Sequence, residues 1–163
     1  NADKYDFATV KYDNNGSQQW VKYHSEALGK DEIAVALAAD NNGNIFVTGN
    51  SGAQASLIFG NDPVQFPSLS LADAIITIKY DSIGNELWSA PEFFSSTDPN
   101  IIVISTSSTV TGFALDPSGN AYIGGYRLDY TYNVQQNKYS IGYSCLAVKY
   151  TSQGAAAWKK GFS

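Results

Sequence analysis

The chain has 163 residues, of which 15% are charged, 44% hydrophobic and 13% aromatic, with 14 Gly and 11 Tyr. This composition is typical of a globular, strand-rich protein, because a disordered chain would contain fewer aromatic and more charged residues. The net charge of −5 and the scattered basic residues exclude a typical nucleic-acid-binding surface. No apolar run approaches the roughly 20 residues that a membrane-spanning helix needs.

Three scarce residue types limit the chemistry further. The sequence has no Met, so we expect it to be a processed product or part of a longer polypeptide. Its one Cys, Cys145, excludes an internal disulfide, and its one His, His24, excludes a Cys/His zinc site within the chain. We expect Cys145 to be a buried small hydrophobe and His24 to be exposed at a strand end.

A first hairpin occurs three times, at 7–20, 75–88 and 145–158. Each copy has a strand that ends in Lys-Tyr, a turn that contains Gly and a strand that begins at Trp. Apolar residues occupy both faces of the first strand, which predicts a sheet covered on both sides. Because Trp20, Trp88 and Trp158 take the same place in every copy, packing between sheets is favoured over sugar binding. The repeated Lys residues are interpreted as edge positions with solvated ammonium groups rather than an anion-binding stripe.

A second hairpin alternates with the first, at 37–49 and 113–125, and its turns contain Asp and Gly. All the turns are predicted to be tight, with Asp accepting hydrogen bonds from its own backbone and Gly at positive φ. Calcium bound to these Asp residues is a less favoured alternative, since calcium needs six to eight oxygen ligands. Small residues alternate on the strand at 33–39, which predicts a close neighbour on that face.

Between the hairpins, the stretches 51–72, 89–108 and 127–142 show little periodicity and are interpreted as long loops. We expect the tight turns to lie on one side of the molecule and these loops on the other. The loop aromatics do not repeat, which makes them the candidate ligand-binding residues. They are Phe93, Phe94, Tyr126, Tyr130, Tyr132 and Tyr139.

The Trp spacing of about 70 residues and the two hairpins per repeat indicate four-stranded units, the blades of a β-propeller. The sequence therefore predicts an all-β fold, a β-propeller segment of about two and a half four-stranded antiparallel blades within 1–163. Residues 5–23 would form an outer half-blade, and 33–90 and 110–162 one blade each. Closed propellers have about 4–8 blades, so we expect the segment to belong to a longer chain or an assembly.

The repeated sequence also resembles a known family. Phe-Ala-Thr-Val-Lys-Tyr-Asp-x-x-Gly-x-x-x-Trp, followed by Ala-x-Asp-x-x-Gly-Asn-x-Phe/Tyr-Val/Ile-x-Gly, is similar to the bacterial β-propeller repeats abbreviated SBBP. The resemblance implies a secreted or cell-surface bacterial protein, and its motif implies no catalytic or ligand residue. The third copy departs from it at Thr151 and Ala155, which replace Asp and a polar residue.

The predicted function is a non-catalytic extracellular or cell-surface binding or structural module that contacts protein or glycan. Its expected partners are adjoining propeller blades or other copies of the chain, with no cofactor and no metal site. The alternative is a carbohydrate-active enzyme, a hydrolase or lyase, which rests on fold analogy alone. Its candidate acids lie in the predicted loops and are Asp62, Glu92, Asp98 and Asp129.

Overall fold

The computed structural model describes residues 6–25, 31–52, 74–92 and 99–162, with 103–105 described by their backbone alone. Every regular element in these ranges is a β-strand, and none of the described residues forms a helix long and apolar enough to cross a membrane. The strands are β1 (Phe7–Tyr12), β2 (Gln18–His24), β3 (Glu32–Ala39), β4 (Ile45–Ser51), β5 (Ala74–Tyr80), β6 (Glu86–Glu92), β7 (Ile101–Leu115), β8 (Ala121–Asn133), β9 (Lys138–Tyr150) and β10 (Ala156–Phe162).

The strands form three antiparallel sheets. β1 and β2 pair alone, β3 to β6 form a four-stranded sheet in sequence order, and β7 to β10 form another. We call these the half-blade, the middle blade and the last blade. The predicted all-β segment of about two and a half four-stranded antiparallel blades is therefore confirmed.

The last blade is longer than the sequence indicated. β7, β8 and β9 have 15, 13 and 13 residues, so 101–108 and most of 127–142 are strand rather than loop. The prediction of long loops there was wrong, because the pairing of β8 with β9 continues without interruption from Ala121↔Tyr150 to Asn133↔Lys138. Of the other predicted loop residues, 51 and 89–92 lie in β4 and β6, and 53–72 and 93–98 lie outside the described residues.

The tight turns lie on one side of the molecule, as predicted. In each turn the Gly backbone has positive φ, between 74° and 89°. Neighbouring turns are in contact: a Cβ added at Gly43 would lie 3.5 Å from the Cβ of Ser82, and one added at Gly119 would lie 3.6 Å from the Cβ of Ser152. The β8–β9 connection lies at the opposite end of its sheet.

A β-bulge in the outer hairpin of each blade places Lys and Trp opposite each other on one face. In the middle blade Lys79 pairs with Trp88, whereas Tyr80 pairs with Glu86, so Leu87 has no partner. The same register shift occurs in the half-blade and in the last blade. The bulge directs both side chains toward the next blade.

These Lys and Trp side chains hold the next blade by one backbone carbonyl. Lys11 Nζ and Trp20 Nε1 donate to the Ser82 carbonyl, at 2.7 and 3.3 Å. Lys79 Nζ and Trp88 Nε1 donate in the same way to the Ser152 carbonyl, at 3.1 and 3.2 Å. We call this arrangement the clasp. Lys79 is buried in its clasp, so the predicted solvated ammonium group is wrong for this residue.

The clasp also explains the Gly in the outer turns of the middle blade and the last blade. A Cβ added at Gly84 would lie 2.9 Å from the ring of Trp20, and one at Gly154 would lie 2.7 Å from the ring of Trp88. The indoles pack next to Tyr80 and Tyr150 as well, with ring centroids 6.0 Å apart in both pairs. The predicted packing role of Trp20 and Trp88 between blades is confirmed.

The core lies between the blades. β5 is buried along its whole length because the half-blade covers one face of the middle blade and the last blade covers the other. One cluster joins Phe7 to Ile76 and Ile78, and the other joins Phe46 to Val148 and Tyr150. β3 lies beside β7 of the last blade. Ala36 and Ala38 are half-buried on that face, whereas Leu37 on the alternate face is exposed, so the predicted close neighbour of the small-residue face is confirmed.

We expect Trp88→Ala to lower the free energy of unfolding by about 3 kcal/mol, because it removes a large indole from the core and leaves Lys79 as the only donor of its clasp. Trp158→Ala, the matched control at the same repeat position, should cost about 1 kcal/mol or less, because no described blade follows it. Urea unfolding at low protein concentration compares the two. Equal losses would contradict the clasp as a stabilising contact.

Candidate interaction surface

The far end of the last blade carries a row of aromatic and apolar side chains on one face. β8 and β9 extend away from the tight turns, and their cross-strand pairs place side chains of both strands on the same side. The pairs on this face are Tyr126↔Cys145, Leu128↔Tyr143, Tyr130↔Ile141 and Tyr132↔Tyr139. We call the seven aromatic and aliphatic members of these pairs the tyrosine face.

The rings of the tyrosine face pack against one another. Tyr130 and Tyr139 are stacked, with centroids 5.6 Å apart and ring planes within 10°. Tyr132 lies 4.9 Å from Tyr139, and its hydroxyl donates to Asn137 Oδ1 at 2.6 Å. Because these three rings are held by one another, their end of the face offers a preorganised aromatic surface that loses little side-chain entropy on binding.

The opposite face of this extension is polar and buried. Arg127 donates from Nε and Nη2 to Asp129 Oδ2, at 2.7 and 2.6 Å. Thr106 and Ser108 of β7 are 5% and 3% exposed on the same side. Alternation along the strands therefore leaves the tyrosine face as the open side, and Tyr126, Tyr139, Ile141 and Tyr143 are all exposed there.

Four of the six predicted ligand-binding residues are brought together. Tyr126, Tyr130, Tyr132 and Tyr139 all belong to the tyrosine face, but they lie on strands and not in loops, so their predicted placement was wrong. Phe93 and Phe94 lie outside the described residues. The sequence reasoning missed Leu128, Ile141 and Tyr143, although residues 126–132 alternate aromatic or aliphatic with polar side chains, which is the period of a strand.

The candidate acids of the enzyme alternative do not form a site among the described residues. Asp129 lies on β8 and is paired with Arg127, and Glu92 ends β6, where it is buried and paired with Lys159. Neither is in a loop, contrary to the prediction. Asp62 and Asp98 lie outside the described residues.

The turn carboxylates are used by their own backbones, as predicted. Asp116 Oδ1 accepts from the backbone N of Ser118 and of Asn120, at 3.0 and 2.9 Å, and Oδ2 accepts from the Asn120 side chain at 2.7 Å. These hydrogen bonds from Asn120 hold the pKa of Asp116 below its ordinary value of 3.8. In the described ranges, no group of three or more His, Cys, Asp and Glu residues is arranged to hold a metal ion.

The one His and the one Cys of the sequence differ from the predicted exposure. His24 ends β2, as predicted, but it is half-buried and its Nδ1 lies 3.1 Å from Glu86 Oε2 of the middle blade. Cys145 is exposed rather than buried. It occupies the position of the fully buried Ile75 in the middle blade, and the difference arises because no described residue covers this face of the last blade.

Comparison with known proteins agrees with this architecture. Residues 19–54 match the model of the SBBP family, described as a beta-propeller repeat. This match spans β2 to β4 and joins the half-blade to the middle blade. Residues 19–54 therefore carry a β-propeller repeat of the SBBP type, and the resemblance inferred from the motif is confirmed there.

Two curated proteins are similar over about half of the chain. An uncharacterized WD repeat-containing protein, L264, of Acanthamoeba polyphaga mimivirus is 30% identical over 86 residues, which are 51% of this chain and 6% of that protein. A probable aspartic-type endopeptidase, OPSB, of Arthroderma benhamiae is 36% identical over 83 residues, which are 49% of this chain and 16% of that protein. The chain thus spans less than a fifth of either relative. The family match and the WD-repeat relative indicate a repeat-based interaction module.

We expect the Asp116 turn to make stability depend on acid pH. The carboxylate stabilises the folded chain above its unfolded pKa near 3.8, and this contribution is lost as the pH falls through the lower folded-state pKa. Asp116→Asn should therefore be less stable than the wild type at pH 7, and the gap should close by about pH 2. Urea unfolding of both proteins, followed by Trp fluorescence at a series of pH values, measures this difference in the free energy of unfolding.

Thr151→Asp provides the converse change. Thr151 occupies the Asp position of the third outer turn, and its hydroxyl accepts one hydrogen bond, from the Ala155 backbone N, at 3.2 Å. The new carboxylate should raise stability at pH 7 but not at about pH 2. A gap between wild type and Asp116→Asn that stays constant with pH would contradict the assigned role of these carboxylates.

Proposed function

We propose that the chain is a non-catalytic interaction module of a secreted or cell-surface bacterial protein, and that its tyrosine face binds a protein. One observation carries the proposal: the four Tyr residues singled out from the sequence share a single exposed face with Leu128, Ile141 and Tyr143. The bacterial, secreted or surface location rests on the family resemblance.

The chemistry of the face favours a protein over a glycan as its ligand. Tyr is enriched in protein interfaces because it buries a large rigid ring and keeps a hydroxyl for hydrogen bonding. The aliphatic side chains of Leu128 and Ile141 lie between the rings and add apolar surface without polar partners for sugar hydroxyls. Contiguous exposed apolar surface of this kind is typical of a protein-binding site.

The described carboxylates support a non-catalytic role. Glycan cleavage requires two carboxyl groups at a defined separation on either side of the scissile bond, and an aspartic peptidase requires two that share a proton. Asp129 and Glu92 are each neutralised by a basic partner, and Asp40, Asp81 and Asp116 accept hydrogen bonds within their own turns. None of these five carboxylates is therefore arranged as such a pair.

We expect Tyr139→Ser and Tyr143→Ser to abolish ligand capture without loss of folding. The immobilised chain would be exposed to surface and secreted bacterial proteins, and to a glycan array in parallel. The matched control is Tyr23→Ser on β2, because Tyr23 and Tyr143 are 73% and 70% exposed. The supporting result is a protein that the wild type and the control capture but neither variant does. After purification, that protein should bind the wild-type chain saturably.

Two results would refute the proposal. Reproducible cleavage of neutral or acidic polysaccharides would favour the carbohydrate-active enzyme. Saturable glycan binding that depends on Tyr139, in the absence of a protein ligand, would replace the protein ligand by a glycan while retaining the site.

A further inference from the structure

The two ends of the array expose the two halves of one interface. In the middle blade, Phe46, Lys79 and Trp88 form the face that holds the last blade, with Lys79 Nζ 4.8 Å from the Phe46 ring and Trp88 edge-on to it at 5.9 Å. In the last blade, Tyr122, Lys149 and Trp158 repeat this geometry, at 4.9 and 6.3 Å. The donor side of a third clasp is therefore already formed.

No backbone carbonyl among the described residues accepts from this third clasp. Trp158 is 39% exposed, and its Nε1 has no carbonyl partner among the described residues comparable with Ser82 or Ser152. The donor groups lie on the same open side as the tyrosine face but at the end that carries the tight turns.

The half-blade exposes the complementary acceptor side. Tyr12 corresponds to Tyr80 and Tyr150, and it is 57% exposed whereas each of these is 2% exposed. Val10 is likewise exposed, whereas the corresponding Ile78 and Val148 are fully buried. A Cβ added at Gly16 would meet nothing within 4 Å, although the equivalent glycines each lie under an indole ring.

The half-blade contains every element that a clasp requires of its acceptor. The accepting carbonyl belongs to the second residue of the outer turn, which is Asn14 here, and the indole packs beside the Gly of that turn and the Tyr before it. All of these belong to the β1–β2 hairpin. The acceptor side therefore needs only this hairpin.

We propose that the chain associates head to tail with a second copy of itself, with Trp158 and Lys149 of one copy clasping the Asn14 carbonyl of the next. Such an interface is heterologous, so each copy uses one end as donor and the other as acceptor. The proposal is independent of the protein ligand proposed for the tyrosine face. It rests on an interface that already occurs twice within the chain.

The test uses the full chain and two variants that each remove one side of the interface. Trp158→Ala removes the donor indole. Gly16→Asn adds a side chain where the incoming indole would lie, and Asn tolerates the left-handed backbone that Gly16 adopts at φ 80°. Gly43→Asn is the matched control, because Gly43 has φ 77° and its added Cβ would make an ordinary 3.5 Å contact with the Ser82 side chain and meet no indole ring.

Sedimentation velocity over a wide concentration range should show oligomers for the wild type and for Gly43→Asn. Trp158→Ala and Gly16→Asn should each weaken association by about 30-fold or more. Their equimolar mixture should regain a heterodimer, since one variant keeps an intact donor end and the other an intact acceptor end. Circular dichroism establishes that each variant is folded.

Three outcomes would overturn the proposal. These are a wild type that stays monomeric at every concentration, association that survives either variant, and folded variants whose mixture does not associate. Loss of protein capture by the tyrosine variants leaves this result unchanged, because Tyr139 and Tyr143 lie outside the clasp.

Discussion

The structure depends on a hydrogen-bonded contact in which a tryptophan and a lysine of one blade share a single backbone carbonyl of the next. At the Ser82 and Ser152 carbonyls, both donors come from one cross-strand pair, which the bulge places on the correct face. The glycine of the accepting turn must lack a side chain because the indole occupies that space. Most features of the repeated motif, from Lys-Tyr to the following Trp, follow from this contact.

The clasp between blades also determines which faces of the sheets are covered and which remain open. Each blade has one clasping face and one clasped face, and in the middle blade both are covered, which leaves β5 entirely buried. In the last blade the clasping face is open and continues along β8 and β9 into the tyrosine face. The recognition proposed for this surface would therefore use the side of a sheet, whose strands fix the ring positions, rather than loops.

The sequence predicted the repeated parts well and the unrepeated parts poorly. Lys79, Gly84 and Trp88 have counterparts in two other copies, so their common role in packing could be inferred without any structure. The extension of β8 and β9 occurs once, and its Ser, Thr and Gly residues in 101–109 and 140–144 obscured the alternation visible at 126–132. Cys145 and His24 were misjudged because their burial depends on which blade stands beside them, which local sequence does not encode.

The acceptor oxygen in the contact between blades belongs to the main chain, and this has an evolutionary consequence. Every residue carries a backbone carbonyl, so the second turn position can change freely, as it does among Asn14, Ser82 and Ser152. A gene duplication that adds one repeat would supply a working contact at once, without compensating changes in its neighbour. The array can thus gain units while its inserted segments diverge. The contact between units needs the glycine of the accepting turn and a backbone carbonyl, but no particular side chain on the residue that supplies the carbonyl.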